Sequence, residues 1–223
     1  MILDKFVRDI QKKVEQIPGP SAYFYNIFIK RLLSKPELKI AKDVVLKAKQ
    51  GVIVDLGSGT GYLSIEIAKR RPDLQIYGID LSKKMVHIAT HNAKGVKNIQ
   101  FKNHNAADLP FVDDSIDFIV STGSFHHWKY PVKVFNESYR VLKHNGEAWI
   151  YDGCYNLPDI EVVKLVQKYG FFQYLIFSRI QRLHGFDWEE YHTKIKSLLQ
   201  NTKFKDRFQL DLLDGWMRIS LWK

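Results

Sequence analysis

The chain has 223 residues, 45% of them hydrophobic and 26% charged, with a formal net charge of +10 at pH 7. That length suits one α/β domain with a substantial core, and no run of about 18 apolar residues reads as a membrane span. The single cysteine, Cys154, excludes an internal disulfide and fits a reducing compartment. The opening Met1-Ile2-Leu3-Asp4-Lys5-Phe6 lacks the basic stretch and apolar block of a secretory signal, so a cytoplasmic location is expected.

In chain order, Ile2, Leu3, Phe6, Val7, Ile10, Val14 and Ile17 fall on one helical face, and Pro18-Gly19-Pro20 ends that helix. Residues 21–33 and 36–49 predict two more helices, the second opened by Pro36. Strands and helices then alternate. Strands are expected over Gly51–Asp55, Gln75–Asp80, Ile99–Asn105, Asp117–Ser121 and Glu147–Tyr151. The helices between them are Thr60–Arg70, Ser82–Lys94 with Ser82 as N-cap, and Pro131–Lys143. After Pro158 the pattern predicts helices over 159–169, 171–183 and 187–200, then a strand pair, Arg207–Leu213 and Trp216–Trp222, around Asp214-Gly215.

Such alternation predicts a doubly wound, mostly parallel sheet with helices on both faces. The expected organisation is a helical cap (1–49), a ligand-binding core (50–157), a helical insertion (158–205) and a terminal hairpin (206–223), as one domain overall. Residues 1–50 hold 11 basic and 5 acidic side chains, or +6, whereas 51–157 hold 12 and 11, or +1. The basic excess lies mainly before the core. It suits RNA or another anionic partner, or simply a solvated lysine-rich helix surface.

The most informative stretch is Val54-Asp55-Leu56-Gly57-Ser58-Gly59-Thr60-Gly61. A carboxylate at a strand end precedes three closely spaced glycines and a helix, so backbone N–H groups and a helix N-terminus can approach a ligand. A dinucleotide and S-adenosylmethionine both suit such a turn. The dinucleotide fingerprint G-x-G-x-x-G wants its third glycine where this chain has the bulky Tyr62. Asp80, at the next strand end, stands about twenty residues on, where a carboxylate can take ribose hydroxyls.

Val54–Gly61 resembles the first motif of class I S-adenosylmethionine-dependent methyltransferases, and later segments match that family in order. They are Tyr77-Gly78-Ile79-Asp80 with Leu81-Ser82-Lys83-Lys84-Met85, then Asn105-Ala106-Ala107-Asp108-Leu109-Pro110-Phe111. Next come Asp117-Phe118-Ile119-Val120 and Ser124-Phe125-His126-His127-Trp128, and finally Glu137 with Arg140-Val141-Leu142-Lys143 and Gly146. The resemblance covers roughly residues 50–153 and is closest to the type 11 branch, which includes quinone-biosynthesis methyltransferases. It implies a Rossmann-like, seven-stranded, mostly parallel sheet with an antiparallel last strand. It also implies S-adenosyl-L-methionine as cofactor and S-adenosyl-L-homocysteine as product.

Residue by residue, the resemblance assigns Gly57, Ser58, Gly59 and Gly61 to the methionine part, with Asp55 accepting from its ammonium. Asp80 takes the ribose, and Met85, Asn105 and Ala106 the adenine. Leu81 and Thr122 count as further cofactor contacts. Asn105 stands where the family usually has Asp; its oxygen can accept the same hydrogen bond without the charge. His126 and His127 lie where the family faces its acceptor, and either can act as a base, with His127 slightly favoured of the two; equally, the pair can shape the pocket or pack against Trp128. Tyr25, His127 and Trp128 are candidate acceptor-lining residues, and no metal is expected.

Ser121-Thr122-Gly123-Ser124 occupies the place where amino-group methyltransferases acting on adenine or glutamine commonly carry Asn/Asp-Pro-Pro-aromatic. Cys154 matches no nucleophile motif and reads as a buried, inert thiol. A small-molecule acceptor, aromatic or prenylated, is the leading expectation. The alternative is an RNA or protein acceptor docked on the basic N-terminal helices. An NAD(P) oxidoreductase and a non-catalytic S-adenosylmethionine-binding domain rank below both. Phe171–Phe177 predicts either an apolar acceptor wall or ordinary helix core.

Overall fold

The computed structural model describes residues 30–223. The expected helix over 2–17, the Pro-Gly-Pro break and the candidate Tyr25 lie outside the described residues. Helix α1 (Lys30–Lys47) runs unbroken through Pro36, so the break expected between 33 and 36 is absent. It buries Ile40, Ala41, Val44 and the following Ala48.

The core elements follow as β1 (Val52–Leu56), α2 (Tyr62–Arg70), β2 (Gln75–Asp80), α3 (Lys83–Asn92), β3 (Ile99–Asn103), β4 (Ile116–Thr122), α4 (Pro131–Val141) and β5 (Leu142–Tyr155). Then come α5 (Asp159–Tyr169), α6 (Phe171–His184) and the short β6 (Gly185–Asp187). A helical stretch made of α7 (Trp188–Glu190), a π-helical segment (Tyr191–Ile195) and α8 (Lys196–Gln200) leads to β7 (Phe208–Leu213) and β8 (Trp216–Trp222). The strand order is β3-β2-β1-β4-β5-β8-β7. β8 runs antiparallel to both β5 and β7, and the pairings among β1 to β5 are parallel. The seven-stranded sheet is therefore as expected, and β6 adds a short parallel pairing to β5.

β1 lies at the centre because its run Val52-Ile53-Val54-Asp55-Leu56 is apolar on both faces, as a strand covered by helices on both sides must be. Alternation sends Ile53 to one core and Val54 and Leu56 to the other. The first core lies under α1 and α2 with Ile67, Ile76, Phe118 and Trp149. The second holds Phe135 of α4 with Tyr191, Leu199 and Phe204, so the later part of 158–205 helps cover the sheet.

Two further features differ from the expectations. β5 starts at Leu142 rather than Glu147, because the turn residues join the ladder: Asn145 N–H donates to Lys223 O, and Lys223 N–H donates to Gly146 O. α6 also points much of its aromatic run outward. Phe171, Phe172, Leu175 and Ile176 are exposed, while Phe177 packs on the body. Only part of that segment is core.

After β4, a 3₁₀ turn (Phe125–His127) is held by aromatic packing. Phe125 meets Phe186 at 4.8 Å, Trp128 at 5.1 Å and Phe135 at 5.5 Å between ring centroids. Phe135 is fully buried. Phe135→Ala is therefore expected to lower stability by about 3–5 kcal/mol in urea unfolding, and Phe135→Leu by less. A cost under about 1 kcal/mol would show that the turn does not depend on this cluster.

Candidate active site

β1 pairs with β2 on one side and β4 on the other, although β4 is the third strand after it in sequence. This switch point gathers Asp55, the glycine turn, Asp80 and the 124–127 turn at the carboxyl edge of the sheet. Gly57 N–H and Ser58 N–H both donate to Ile79 O, at 2.8 and 3.0 Å, which ties the turn to the end of β2. Gly57 has φ +70°, and a Cβ there would lie 2.4 Å from Ser124 Cβ. Close approach of the β4 turn therefore requires glycine. Gly59 has φ +52°, and among the described residues nothing lies within 4 Å of where its Cβ would sit. Gly61 caps α2 without a side-chain oxygen, with φ +81°.

Asp80 holds the cradle from the side. Its carboxylate accepts from Gly59 N–H and Ser82 N–H, both at 2.8 Å. Burial raises its pKa, and those two N–H groups oppose the shift. Each oxygen keeps a further lone-pair site for ribose hydroxyls. Leu81 follows directly, and Ser82 caps α3 by accepting from Met85 N–H at 3.4 Å. The Met85 side chain is buried.

Beneath the cradle Asp55 is 1% exposed. Ser64 Oγ donates to Asp55 Oδ2 at 2.5 Å, while Oδ1 is buried with no partner. Burial pushes the carboxyl up from its ordinary 3.8 to about 7; the Ser64 bond lowers it and the negative charge of Asp80 raises it. An orphaned buried carboxylate oxygen is costly, and a cation arriving from the cleft would relieve it. Ser58 Oγ, also buried without a partner, adds a second unmet polar atom to the same turn.

The loop after β3 is fixed to β2: Asn103 Nδ2 donates to Asp80 O and Leu81 O, and His104 N–H donates to Asp80 O. Asn105 Oδ1 accepts from Ala107 N–H at 2.9 Å, so it shapes the turn carrying Ala106 and keeps one lone-pair site. Further on, Glu137 and Arg140 of α4 clamp the segment 109–113. Glu137 Oε2 accepts from Leu109 N–H, while Arg140 donates to Leu109 O, Phe111 O and Asp113.

On the other side of the cradle, Thr122 ends β4 opposite Tyr151. Ser121 Oγ and Ser124 Oγ both donate to Leu56 O, at 2.7 and 3.1 Å, so the β4 turn is bolted to the exit of β1. Trp128 spends its indole N–H on Ser124 Oγ at 3.2 Å and its ring on the aromatic cluster. It acts as a strut of the turn. His126 and His127 stack with ring centroids 4.0 Å apart.

Sequence reasoning missed Asp152. It is 1% exposed on β5, and it accepts from His126 N–H, His126 Nδ1 and Gly153 N–H. A signal existed: like Asp55 and Asp80, it is an acid at the carboxyl end of an apolar strand run. Two residues on, Cys154 is buried, and burial, followed by Asp187 and Asp152, pushes its thiol up to about 12. That makes it the inert thiol expected.

This site fits S-adenosylmethionine. The orphaned Asp55 oxygen suits a methionyl ammonium, the side-chain-free backbone of Gly59 suits close passage of the methionine part, and Asp80 suits a ribose diol.

The comparisons agree. A methyltransferase domain model matches residues 47–202. Over 176 residues the chain is 31% identical to a demethylmenaquinone methyltransferase of Lactobacillus johnsonii, covering 74% of this chain and 69% of that one. A 103-residue match, 36% identical, joins it to an uncharacterized methyltransferase of Bacillus subtilis, YcgJ, over 45% of this chain and 40% of that one. The chain thus spans less than half of that second relative. A Methanococcus maripaludis structure assigned to the S-adenosylmethionine-dependent methyltransferases superposes with a TM-score of 0.71 at 27% identity, over 91% of each chain. Since the domain match takes in the glycine turn, the strand-end acids and most of the described fold, the chain belongs to the S-adenosylmethionine-dependent methyltransferase family.

Proposed function

We propose that this protein methylates a small aromatic acceptor of the quinol kind. The observation that supports this acceptor class is the likeness to the demethylmenaquinone methyltransferase, whose aligned stretch is longer than the core 50–157 itself. It therefore extends beyond the core. The single cysteine supports a cytoplasmic setting; among the described residues no helix is long and apolar enough to cross a membrane.

When bound, S-adenosylmethionine supplies a methyl group on a sulfonium, which departs as a neutral thioether while the acceptor provides the pair for the new bond. The residues of this chain bind and align. In this reading Asp55 takes the ammonium and Gly57, Ser58, Gly59 and Gly61 line the methionine part. Asp80 and Leu81 hold the ribose, Met85, Asn105 and Ala106 border the adenine, and Thr122 makes a further cofactor contact. Alignment of the reacting atoms supplies much of the rate. His126 and His127 stand at the acceptor edge, and the carboxylate contact of Asp152 favours His126 as the base.

Asp80→Ala is expected to weaken S-adenosylmethionine binding by about 1–3 kcal/mol in calorimetry. Unchanged affinity would remove Asp80 from the site. Asp55 generates a pH dependence. Its carboxyl must lose a proton to meet an ammonium, so affinity should rise with pH up to about 7, by at most about tenfold per unit, and flatten above. Asp55→Asn should abolish that slope. Stability without ligand runs the other way. The folded state holds this proton more tightly than the unfolded chain, so the contribution present at pH values below 3.8 is lost as pH rises toward about 7. The acceptor is identified by incubating the protein with radiolabelled S-adenosylmethionine and cell extracts. Label in an extractable aromatic lipid or quinol supports the proposal, and label confined to RNA or protein overturns it.

A further inference from the structure

We propose that the α5–α6 hairpin is a docking surface for an anionic lipid bilayer, its aromatic tip entering the headgroup region and its cations facing lipid phosphates. The proposal goes beyond the acceptor reading and does not require it.

The distribution of exposed apolar side chains carries the argument. Among the described residues eleven large hydrophobic side chains are exposed, and seven of them fall between 160 and 176. Single exposed hydrophobics are ordinary, whereas a contiguous group marks a contact surface. Ile160 and Val163 stand on α5. Tyr169 ends that helix, and Phe171, Phe172, Leu175 and Ile176 open the next. The two helices meet at Gly170, which ends α5 and precedes α6 with φ +87°. The tip of the hairpin is thus aromatic on both sides of its turn. Phe172 is 80% exposed and meets Phe171 edge-on, with ring centroids 5.9 Å apart.

Helical geometry aligns this group with positive charge. Phe172, Leu175, Ile176 and Arg179 follow i, i+3, i+4, i+7 spacing, so they share one face, and all four are exposed. The opposite face packs on the body, with Phe177 against Gly215 and Gln181 against Gly153. α6 carries Arg179 and Arg182 and no acid. Arg182 is also exposed, and it touches Asn156 and the Tyr155 ring. Lys164 and Lys168 of α5 pair with Glu161 and Asp214 and stay more than half exposed. An apolar stripe continued by arginine on one helix face suits a segment lying in a membrane interface. With 14 residues α6 is shorter than the roughly 20 that span a bilayer, so it lies on the surface rather than crossing it. The net charge of +10 adds long-range attraction to anionic lipid.

A second copy of the chain fits this face less well. A two-fold contact centred on it sets the arginines of the two copies against each other, and α6 holds no acid to receive them. Its position also suits a lipid surface. Gln181 reaches Gly153, next to Asp152 at the carboxyl end of β5, so the hairpin borders the edge at which the site lies. An acceptor carried in lipid meets the protein from that side.

The test uses the full chain with vesicles of phosphatidylglycerol or of phosphatidylcholine, read by co-sedimentation. The expected result is binding to phosphatidylglycerol and about tenfold or more weaker binding to phosphatidylcholine. Phe171→Ser combined with Phe172→Ser should weaken the phosphatidylglycerol binding by about tenfold or more, and Arg179→Gln by about fivefold. Leu175→Gln combined with Ile176→Gln gives a second apolar variant with the same expectation as the first. Only variants whose urea unfolding midpoint matches the wild type are compared. Placement is read from an environment-sensitive dye on Phe172→Cys, because the buried Cys154 does not compete for it. Its emission should shift to the blue with phosphatidylglycerol vesicles. The same dye on Lys97→Cys, an exposed position before β3 at the amino edge of the sheet, should not shift. Wild-type protein that binds neither vesicle, equal binding to both, or binding unchanged in both apolar variants overturns the proposal. Equal blue shifts at positions 97 and 172 overturn it as well. A dimer in analytical ultracentrifugation that the apolar substitutions abolish assigns the face to a second copy and also overturns it. Calorimetric affinity for S-adenosylhomocysteine tests the methyltransferase reading separately, so either reading can fail without the other.

Discussion

The carboxylate of Asp55, buried at the end of the central strand, is the constraint on which the site depends. A group 1% exposed with one oxygen satisfied by Ser64 and the other orphaned would be a liability in a finished core. It is tolerable at the floor of a site whose ligand brings a cation. The rest of the rim follows from that placement. The turn leaving β1 must pass directly over Asp55 without side chains that fill the space, which Gly57 and Gly59 allow. It must also be pinned so that the cradle keeps its shape. Asp80 from β2 and Ser121 and Ser124 from the β4 turn do this from opposite sides. The cradle therefore exists because β1 lies between β2 and β4, and that adjacency is a property of sheet order rather than of any local motif.

Much of this was legible in the sequence because the decisive signals are short-range. Apolar runs ending in an acid mark β1 and β2. Ser82 marks the start of α3, and Asp214-Gly215 marks the final hairpin, whose strands were placed within a residue. Illegible features were those set by distant partners. β6 is a strand only because Gly153 and Gly185 let two backbones approach; a Cβ on Gly185 would lie 2.5 Å from Gly153 O. β5 begins early because the chain terminus returns to pair with Asn145 and Gly146. Pro36 suggested a helix start, yet α1 continues through it. The aromatic spacing of 171–177 suits a buried helix, but α6 has a body to cover on one side only. Asp152 escaped notice because its partner, His126, is 26 residues away, and no periodicity reports such a contact.

Charge is partitioned in a way that suits this chemistry. The net +10 lies mostly outside residues 51–157, which carry +1. Within that near-neutral core, three buried or half-buried acids, Asp55, Asp80 and Asp152, stand at the carboxyl ends of adjacent or near-adjacent strands. A rim of acids favours a cationic ligand through local field rather than through overall charge. The negative charge of Asp80 also raises the cost of ionising Asp55. A bound cation removes that repulsion. The site is therefore electrostatically unfinished until its ligand arrives, a more specific condition than a pocket of suitable size.

The two histidines show how such a site divides labour between neighbours of the same type. From sequence alone, little separates His126 from His127 beyond a slight preference for His127, both lying just past β4. The 3₁₀ geometry separates them. Successive residues in so tight a turn project about a third of a revolution apart, so only one can meet a given strand. His126 meets β5 and finds a carboxylate that fixes its ring through Nδ1. His127 stacks on the fixed ring at 4.0 Å and forms the adjoining surface. An imidazole held at both its backbone and its ring has lost its rotamer freedom, so the fold sets its orientation. Asp152 thus stands to His126 as Ser64 stands to Asp55: a buried partner that fixes a polar group from another element of the fold.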